Sequence, residues 1–298
     1  MRAMTKNPDQ DLLHRFLFEN TPIRGNTVHL NNTYNIALQH TKYPPLLKNA
    51  LGELMAAAAL LAATLKLQNG ALILQIQGKG PLKLLVVECS ADLEMRATAN
   101  WDGKIDQQSF QDLVGNGQFV ITLDPKDGGQ TYQGIVPVEG NSISQILENY
   151  MQRSEQIETR IWLSCDQETV AGMLLQKVPD LPEQDADAWA RAGFLAETIS
   201  KEELITLTTE QLLNRLFHEE DVRLFEPKHV VFKCTCSRNN VSNMLKMLGL
   251  EEVESIIAER GKIEVNCDFC NAQYIFDSVD AEQLFASDIS APSSKTKH

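Results

Sequence analysis

The stretch Cys234-Thr235-Cys236-Ser237-Arg238 and, after a gap of thirty residues, Cys267-Asp268-Phe269-Cys270-Asn271 decides how the last quarter of this chain is built. Two cysteine pairs at such a separation are the usual sequence form of a four-thiolate zinc site, each pair on a tight turn that aims both sulfurs at one tetrahedral centre. The residues between them fit that frame. Arg238 to Leu248 predicts a helix stopped by Gly249, Glu251 to Arg260 a second stopped by Gly261, and Ile263 to Phe276 a hairpin with the CxxC at its turn. The resulting module, 231–287, is near the size at which an apolar core alone is marginal, so a bound metal would supply much of its folding free energy, on the order of 10 kcal/mol.

Spacing alone leaves several chemistries open. A purely structural zinc staple is the commonest fate of such a site, and a zinc-ribbon binding module is its functional form. Four thiolates also suit an iron–sulfur cluster, although no electron-transfer partner motif accompanies them. A thioredoxin-like dithiol needs a strand-then-helix setting, and Cys267 to Cys270 sits in a hairpin pattern. The CxC pair favours a switch. Alternate residues of an extended chain lie about 6.6–7 Å apart, at the far end of what a disulfide spans, so a bridge there would be strained and easily reduced.

The other cysteines set the context. Six in 298 residues are too few for a disulfide-built secreted scaffold, and Cys89 and Cys165 stand alone in predicted strands as small packing residues. The opening residues contain no secretory apolar stretch, which predicts a cytoplasmic protein. The longest apolar run, Leu54 to Leu65, is too short to cross a bilayer and predicts a buried helix, so no membrane partner is expected. With 27 basic against 40 acidic side chains the net charge is −13, and the segment from Lys228 to Glu282 has no basic stripe, which argues against nucleic acid. The six histidines show no metal or triad spacing, and no nucleophile elbow, P-loop or dinucleotide fingerprint occurs, so catalysis is not expected.

Upstream, residues 1–178 predict an α+β domain dominated by antiparallel sheet. Arg15 to Phe18 and Thr27 to Leu30 form a hairpin pattern, Pro44-Pro45 opens a helix to about Lys66, and Ala71–Gln77, Leu82–Cys89 and Leu93–Ala99 are neighbouring strands. Gln118–Leu123 and Gln130–Val136 flank a turn, a helix runs from the cap Ser142 to about Arg153, and Thr159–Cys165 and Val170–Val178 close the domain. Pro179 to Pro182 then breaks regular structure. Residues 179–230 predict a helical, metastable linker, with Ala186–Thr198 followed by helices capped at Ser200 and Thr208. Twelve acids face six bases from Pro179 to Lys233. With apolar stripes this narrow, the helices hold only while they have a surface to lie on. An ordinary helical layer over the sheet is the competing description. Residues 288–298 predict a flexible tail.

Taken together, these residues resemble the heat-shock protein 33 family, the redox-regulated 33 kDa chaperonins of bacteria. The resemblance rests on the cysteine pattern, on Gly80 to Glu88 (GPLKLLVVE), on Gly134-Ile135-Val136-Pro137, on Arg215 to Glu220 (RLFHEE) and on Val222 to Phe225 (VRLF), spread over nearly the whole chain. It implies an ATP-independent holdase that keeps unfolding proteins from aggregating under oxidative and heat stress. It implies one Zn2+ per chain on Cys234, Cys236, Cys267 and Cys270 in a reduced, inactive form. Oxidation would form Cys234–Cys236 and Cys267–Cys270 disulfides, expel zinc, unfold the linker and support a homodimer holding unfolded clients. Apolar pattern offers Trp189, Phe194, Leu212, Leu216 and Phe217 as client-binding candidates.

Overall fold

The computed structural model describes residues 9–65, 67, 69–105, 109–125, 128–178 and 185–289. The expected break at Pro179 to Pro182 and the tail beyond Ile289 lie outside those residues. By its contacts the chain divides into two compact units, Met1–Lys233 and Cys234–His298. The segment 179–230 belongs to the first of these.

The first unit opens on the hairpin β1 (Leu12–Phe18) and β2 (Ile23–Leu30), passes through α1 (Asn32–Leu38) and α2 (Pro45–Ala62), and lays down β3 (Ala71–Gln77), β4 (Leu82–Ser90) and β5 (Glu94–Trp101). Next come α3 (Phe110–Val114), the pair β6 (Gln118–Asp124) and β7 (Tyr132–Pro137), and α4 (Ile143–Tyr150), which runs into a π-helical turn, Met151–Glu155. The hairpin β8 (Thr159–Cys165) and β9 (Val170–Lys177) precedes the helices α5 (Ala188–Ala196), α6 (Lys201–Thr206) and α7 (Thr209–Phe217). Three short strands, β10 (Val222–Leu224), β11 (Lys228–His229) and β12 (Val231–Phe232), end the unit. One sheet has the order β10-β1-β2-β9-β8 with β11 also on β1, and the other β12-β5-β4-β3-β6-β7. All the pairings are antiparallel except β12 on β5. This is the α+β, mainly antiparallel architecture the sequence predicts.

Helix α2 is the axle of the unit. Pro45 starts it, where a missing N–H costs nothing, and it packs against β2, β8 and β9 of one sheet and β3, β4 and β5 of the other. Its length and apolar composition would suffice for a bilayer span, yet 72% of that span is buried inside the protein, as a core helix requires. It ends at Ala62, short of the expected Lys66. Gly52 permits the close approach to the β8–β9 hairpin, since a Cβ there would lie 2.8 Å from both Cys165 Sγ and Val170 Cγ2. Cys89 is buried in β4 and Cys165 is half-buried at the end of β8, and burial pushes their thiols up to about 12 and about 11, which makes both inert at neutral pH.

Strand β9 explains how a second layer forms. Its apolar run is continuous because it is covered on both faces: Val170 and Leu174 point to the α2 core, while Ala171, Met173 and Leu175 point to α5, α6 and α7. Strand β1 divides the same way, Leu13 to the α2 side, Phe16 and Phe18 to the other. The surface on which the acidic helices lie is therefore this sheet, in the manner of a helical layer. Complete capping boxes at Ser200/Glu203 and Thr208/Gln211 start α6 and α7 where the sequence places them. At Ser142 only the hydroxyl half of the box forms, because the Gln145 side chain accepts from Asn141 N–H instead.

A buried polar seam joins that layer to the sheet. Thr209 Oγ1 lies 2.8 Å from Thr27 Oγ1 and 3.1 Å from His14 Nδ1, and His29 Nε2 donates to Leu204 O at 2.9 Å. Burial lowers the pKa of both histidines, against the opposing pull of Asp9, Glu210 and Glu226 on His14 and of Asp9 and the Leu204 carbonyl on His29. A folded-state value below the ordinary 6.5 means the detached state takes up the proton more readily. Docking stability from these rings is thus present above pH 6.5 and lost as the pH falls through the depressed values. Hydrogen exchange in 201–217, corrected for intrinsic rates, should accelerate below that pH. A flat protection profile would refute the assignment.

Candidate metal centre

Strand β12 hands the chain directly to the second unit. Lys233 N–H bonds Met95 O at 2.9 Å and its ammonium pairs with Glu94, and the next residue is Cys234. Within the second unit, Ser237 caps α8 (Arg238–Leu248), Gly249 at φ 93 turns the chain into α9 (Leu250–Arg260), and Gly261 at φ 77 ends it. The hairpin β13 (Ile263–Asn266) and β14 (Gln273–Phe276) follows, and α10 (Ser278–Ile289), absent from the sequence expectation, packs back on α8 and α9. The buried core is small: Leu245, Val253, Ile263, Phe276, Ala281 and Phe285 among the described residues.

The CxxC occupies the β13–β14 turn as expected. Asn271 N–H bonds Cys267 O at 2.8 Å and Cys267 N–H bonds Ala272 O at 2.9 Å, with Asn271 itself in the left-handed region at φ 55. That knuckle faces the CxC segment. All four sulfurs lie within 4.8 Å of one another; Cys234 Sγ is 3.6 Å from Cys267 Sγ, and Cys236 Sγ is 3.4 Å from Cys270 Sγ. Sulfurs bound 2.3 Å from one tetrahedral zinc would be about 3.8 Å apart, so the donor set fits a four-thiolate ion closely. The neighbours cross the two motifs, a pairing that the spacing does not specify.

The surroundings treat the sulfurs differently. Backbone N–H groups of Cys236 and Ala272 donate to the sulfurs of Cys234 and Cys270, respectively. Tyr274 donates its hydroxyl to Cys236 Sγ at 3.1 Å. Burial works against charge on Cys236, but donation from Tyr274 and from the sulfurs of Cys270, Cys234 and Cys267 brings its thiol down to about 7. Burial and donation to the neighbouring sulfurs push Cys270 up to about 12. Arg238 braces the site from outside: its guanidinium is 4.2 Å from the Phe276 ring, donates to Ile275 O at 2.8 Å and pairs with Asp280 at 2.8 Å. Neither Tyr274 nor Arg238 is singled out by the sequence; for Tyr274 the usable signal is alternation, since it shares a strand face with buried Phe276 beside the CxxC.

The five apolar candidates are not equivalent. Leu212, Leu216 and Phe217 are buried together on the sheet, Phe217 meeting Phe18 edge to face at 4.9 Å between ring centres. Trp189 is half-buried against the same cluster, and Phe194 is 67% exposed on α5. Beneath them lie Phe16, Phe18, Ile23, Met173 and Leu175, which sequence reasoning does not place.

Comparison with known proteins gives a consistent result. The family model described as Hsp33 protein matches residues 11–277. A 33 kDa chaperonin of Methylobacillus flagellatus is 62% identical over 289 residues, covering 97% of this chain and 99% of that protein. One of Chromobacterium violaceum is 50% identical over 290 residues, covering 97% and 98%. In structure, the 33 kDa chaperonin crystallised from Thermotoga maritima superposes with a TM-score of 0.82, covering 94% of this chain and all of that one; at 21% identity this likeness speaks for the fold. A family match over most of the chain, close relatives of matching length and a shared fold place this protein in the Hsp33 family.

Proposed function

We propose that this chain is a redox-regulated, ATP-independent holdase and not an enzyme. It would act in the cytoplasm, capturing unfolding proteins under oxidative and heat stress. The observation that carries the reading is the convergence of four sulfurs in a unit whose apolar core is too small to stand alone. Bound there, zinc would supply folding free energy to the second unit and keep all four sulfurs as thiolates, with Tyr274 and the two backbone N–H groups donating to three of them. In this reading the reduced, zinc-loaded protein is inactive. Oxidation joins Cys234 to Cys236 and Cys267 to Cys270, removing all four ligands at once.

The route to activity then runs through the chain itself. Cys234 directly follows Lys233, so a second unit that loses its fold ends next to the two-residue strand β12, the weakest pairing of its sheet. Release of that end and of β11 and β10 would free the helices α5 to α7, each too short to persist undocked. The face they leave behind, Phe16, Phe18, Ile23, Ala171, Met173 and Leu175, is continuous and apolar. Such a face suits clients and a second copy of the chain alike. The helices' own Leu212, Leu216 and Phe217 would join Trp189 and Phe194 as further client contacts, and the −13 charge would keep the opened protein soluble.

The test is a paired measurement on one sample of zinc stoichiometry and suppression of aggregation of a heat-unfolded client. The reduced protein should carry one zinc and leave the client to aggregate. Peroxide at elevated temperature should release zinc and switch suppression on. Zinc retained through oxidation, with suppression unchanged, would make the site a structural staple.

A further inference from the structure

Tyr274 stands opposite Val265 in the β13–β14 hairpin, on the strand face that also carries buried Phe276. Its ring packs against the small core of the second unit, and its hydroxyl donates to Cys236 Sγ at 3.1 Å. Among the described residues this is the one side-chain hydroxyl bonded to any of the four sulfurs. The contact has a direction: a donor on a thiolate withdraws electron density from the lone pair that would attack an oxidant, and it holds the sulfur where the knuckle needs it.

We infer that Tyr274 is a positioning residue that sets the reactivity of Cys236, its hydroxyl acting as a brake on oxidation of the CxC pair. This rests on the redox reading above. In the step concerned, the Cys236 thiolate takes one oxygen atom from hydrogen peroxide, giving a sulfenic acid and hydroxide. The Cys234 thiolate then displaces a second hydroxide as the S–S bond forms, so two thiolates lose two electrons in all and one peroxide becomes two hydroxides. Zinc would keep this sulfur a thiolate with or without the Tyr274 donor, so the donor lowers its nucleophilicity without raising its thiolate fraction, and a weaker nucleophile slows the first event. The same hydrogen bond lowers the energy of the sulfur electrons whether or not any oxidant is present, which gives the role an independent signature.

The full-length chain and its Tyr274→Phe variant, which removes only the hydroxyl, provide the test. With Co2+ as the probe ion, the sulfur-to-metal charge-transfer band of the variant should move to longer wavelength while the tetrahedral d–d bands stay in place. With Zn2+ and peroxide, loss of the CxC thiols and metal release should both run about 3- to 8-fold faster in the variant. A residue that merely fills space would move neither the band nor the rate, and identical values in both proteins overturn the inference. Should the variant fail to bind metal, 3-fluorotyrosine at position 274 keeps the ring and strengthens the donor: it must shift the band to shorter wavelength and slow oxidation, or the inference is wrong. If the wild-type protein retains zinc under peroxide, the redox reading fails, yet the cobalt band still decides whether Tyr274 controls the Cys236 sulfur.

Discussion

Cys270→Ser is expected to unfold the second unit while strands β1 to β9 of the first stay folded. The serine hydroxyl is not ionised at neutral pH and is a poor ligand beside three thiolates, so zinc affinity should fall by orders of magnitude. Structural zinc binding of this kind is worth about 10–16 kcal/mol at neutral pH, and in a small domain that free energy is folding free energy. Against its loss the second unit has six well-buried apolar side chains among the described residues, two of them alanine or valine. That is too little to order two eleven-residue helices and a hairpin of two four-residue strands. In an amide NMR spectrum, resonances from 234–285 should collapse into the unfolded range while those of β1 to β9 keep their dispersion. A chelator strong enough to strip the wild type should reproduce that spectrum, and readdition of Zn2+ should reverse it there but not in the variant. A variant whose second unit stays dispersed without metal would show that its apolar core suffices.

How far this was readable in advance differs between the parts of the molecule. The four cysteines announce themselves because metal chemistry demands particular atoms at particular spacings, and neither burial nor partner strands enter the argument. Strands β3 to β6 and β9 follow from their apolar runs, and the caps Ser200 and Thr208 from local hydrogen bonding that needs no tertiary context. The segment after α7 defeats such reasoning. Val222–Leu224, Lys228–His229 and Val231–Phe232 are two or three residues long and become strands only because β1 and β5, more than a hundred residues away in sequence, offer open edges. The stripes on α5 to α7 say that a surface exists but not which one; it proves to be the outer face of β1, β2 and β9. Helix α1 carries no such local signal: its N-terminus is held by Asp11, whose carboxylate accepts from the backbone of Asn31, Asn32 and Thr33 across twenty residues. At the metal centre, the sulfur neighbours cross between motifs and Tyr274 reaches Cys236 from 38 residues on, both consequences of how the hairpin packs rather than of either motif.

If oxidation activates the protein as proposed, Phe217→Asp should produce a chaperone that no longer needs it. Phe217 is 2% exposed and lies edge-on to Phe18 in the seam between α7 and the sheet. Truncating such a ring costs about 3–5 kcal/mol, and a carboxylate among Leu213, Leu216 and Phe16 with no partner costs several more. Helix α7 is nine residues long and α6 six, so neither survives in water alone, and undocking amounts to unfolding them. The change lies outside the second unit, so zinc should remain at one per chain and all four thiols should stay reduced. Suppression of client aggregation should nonetheless approach that of oxidised wild type, with exchange protection lost across 188–217 and kept in β3 to β6. Phe194→Asp is the control on the same layer: at 67% exposure it disturbs no packing, so the reduced protein should stay inactive, and any loss it shows after oxidation measures client contact alone. The pair separates two jobs that the apolar residues of this layer could do. If Phe217→Asp loses its helical protection yet still lets the client aggregate, exposing the sheet is not what activates the protein, and the client surface must be made elsewhere.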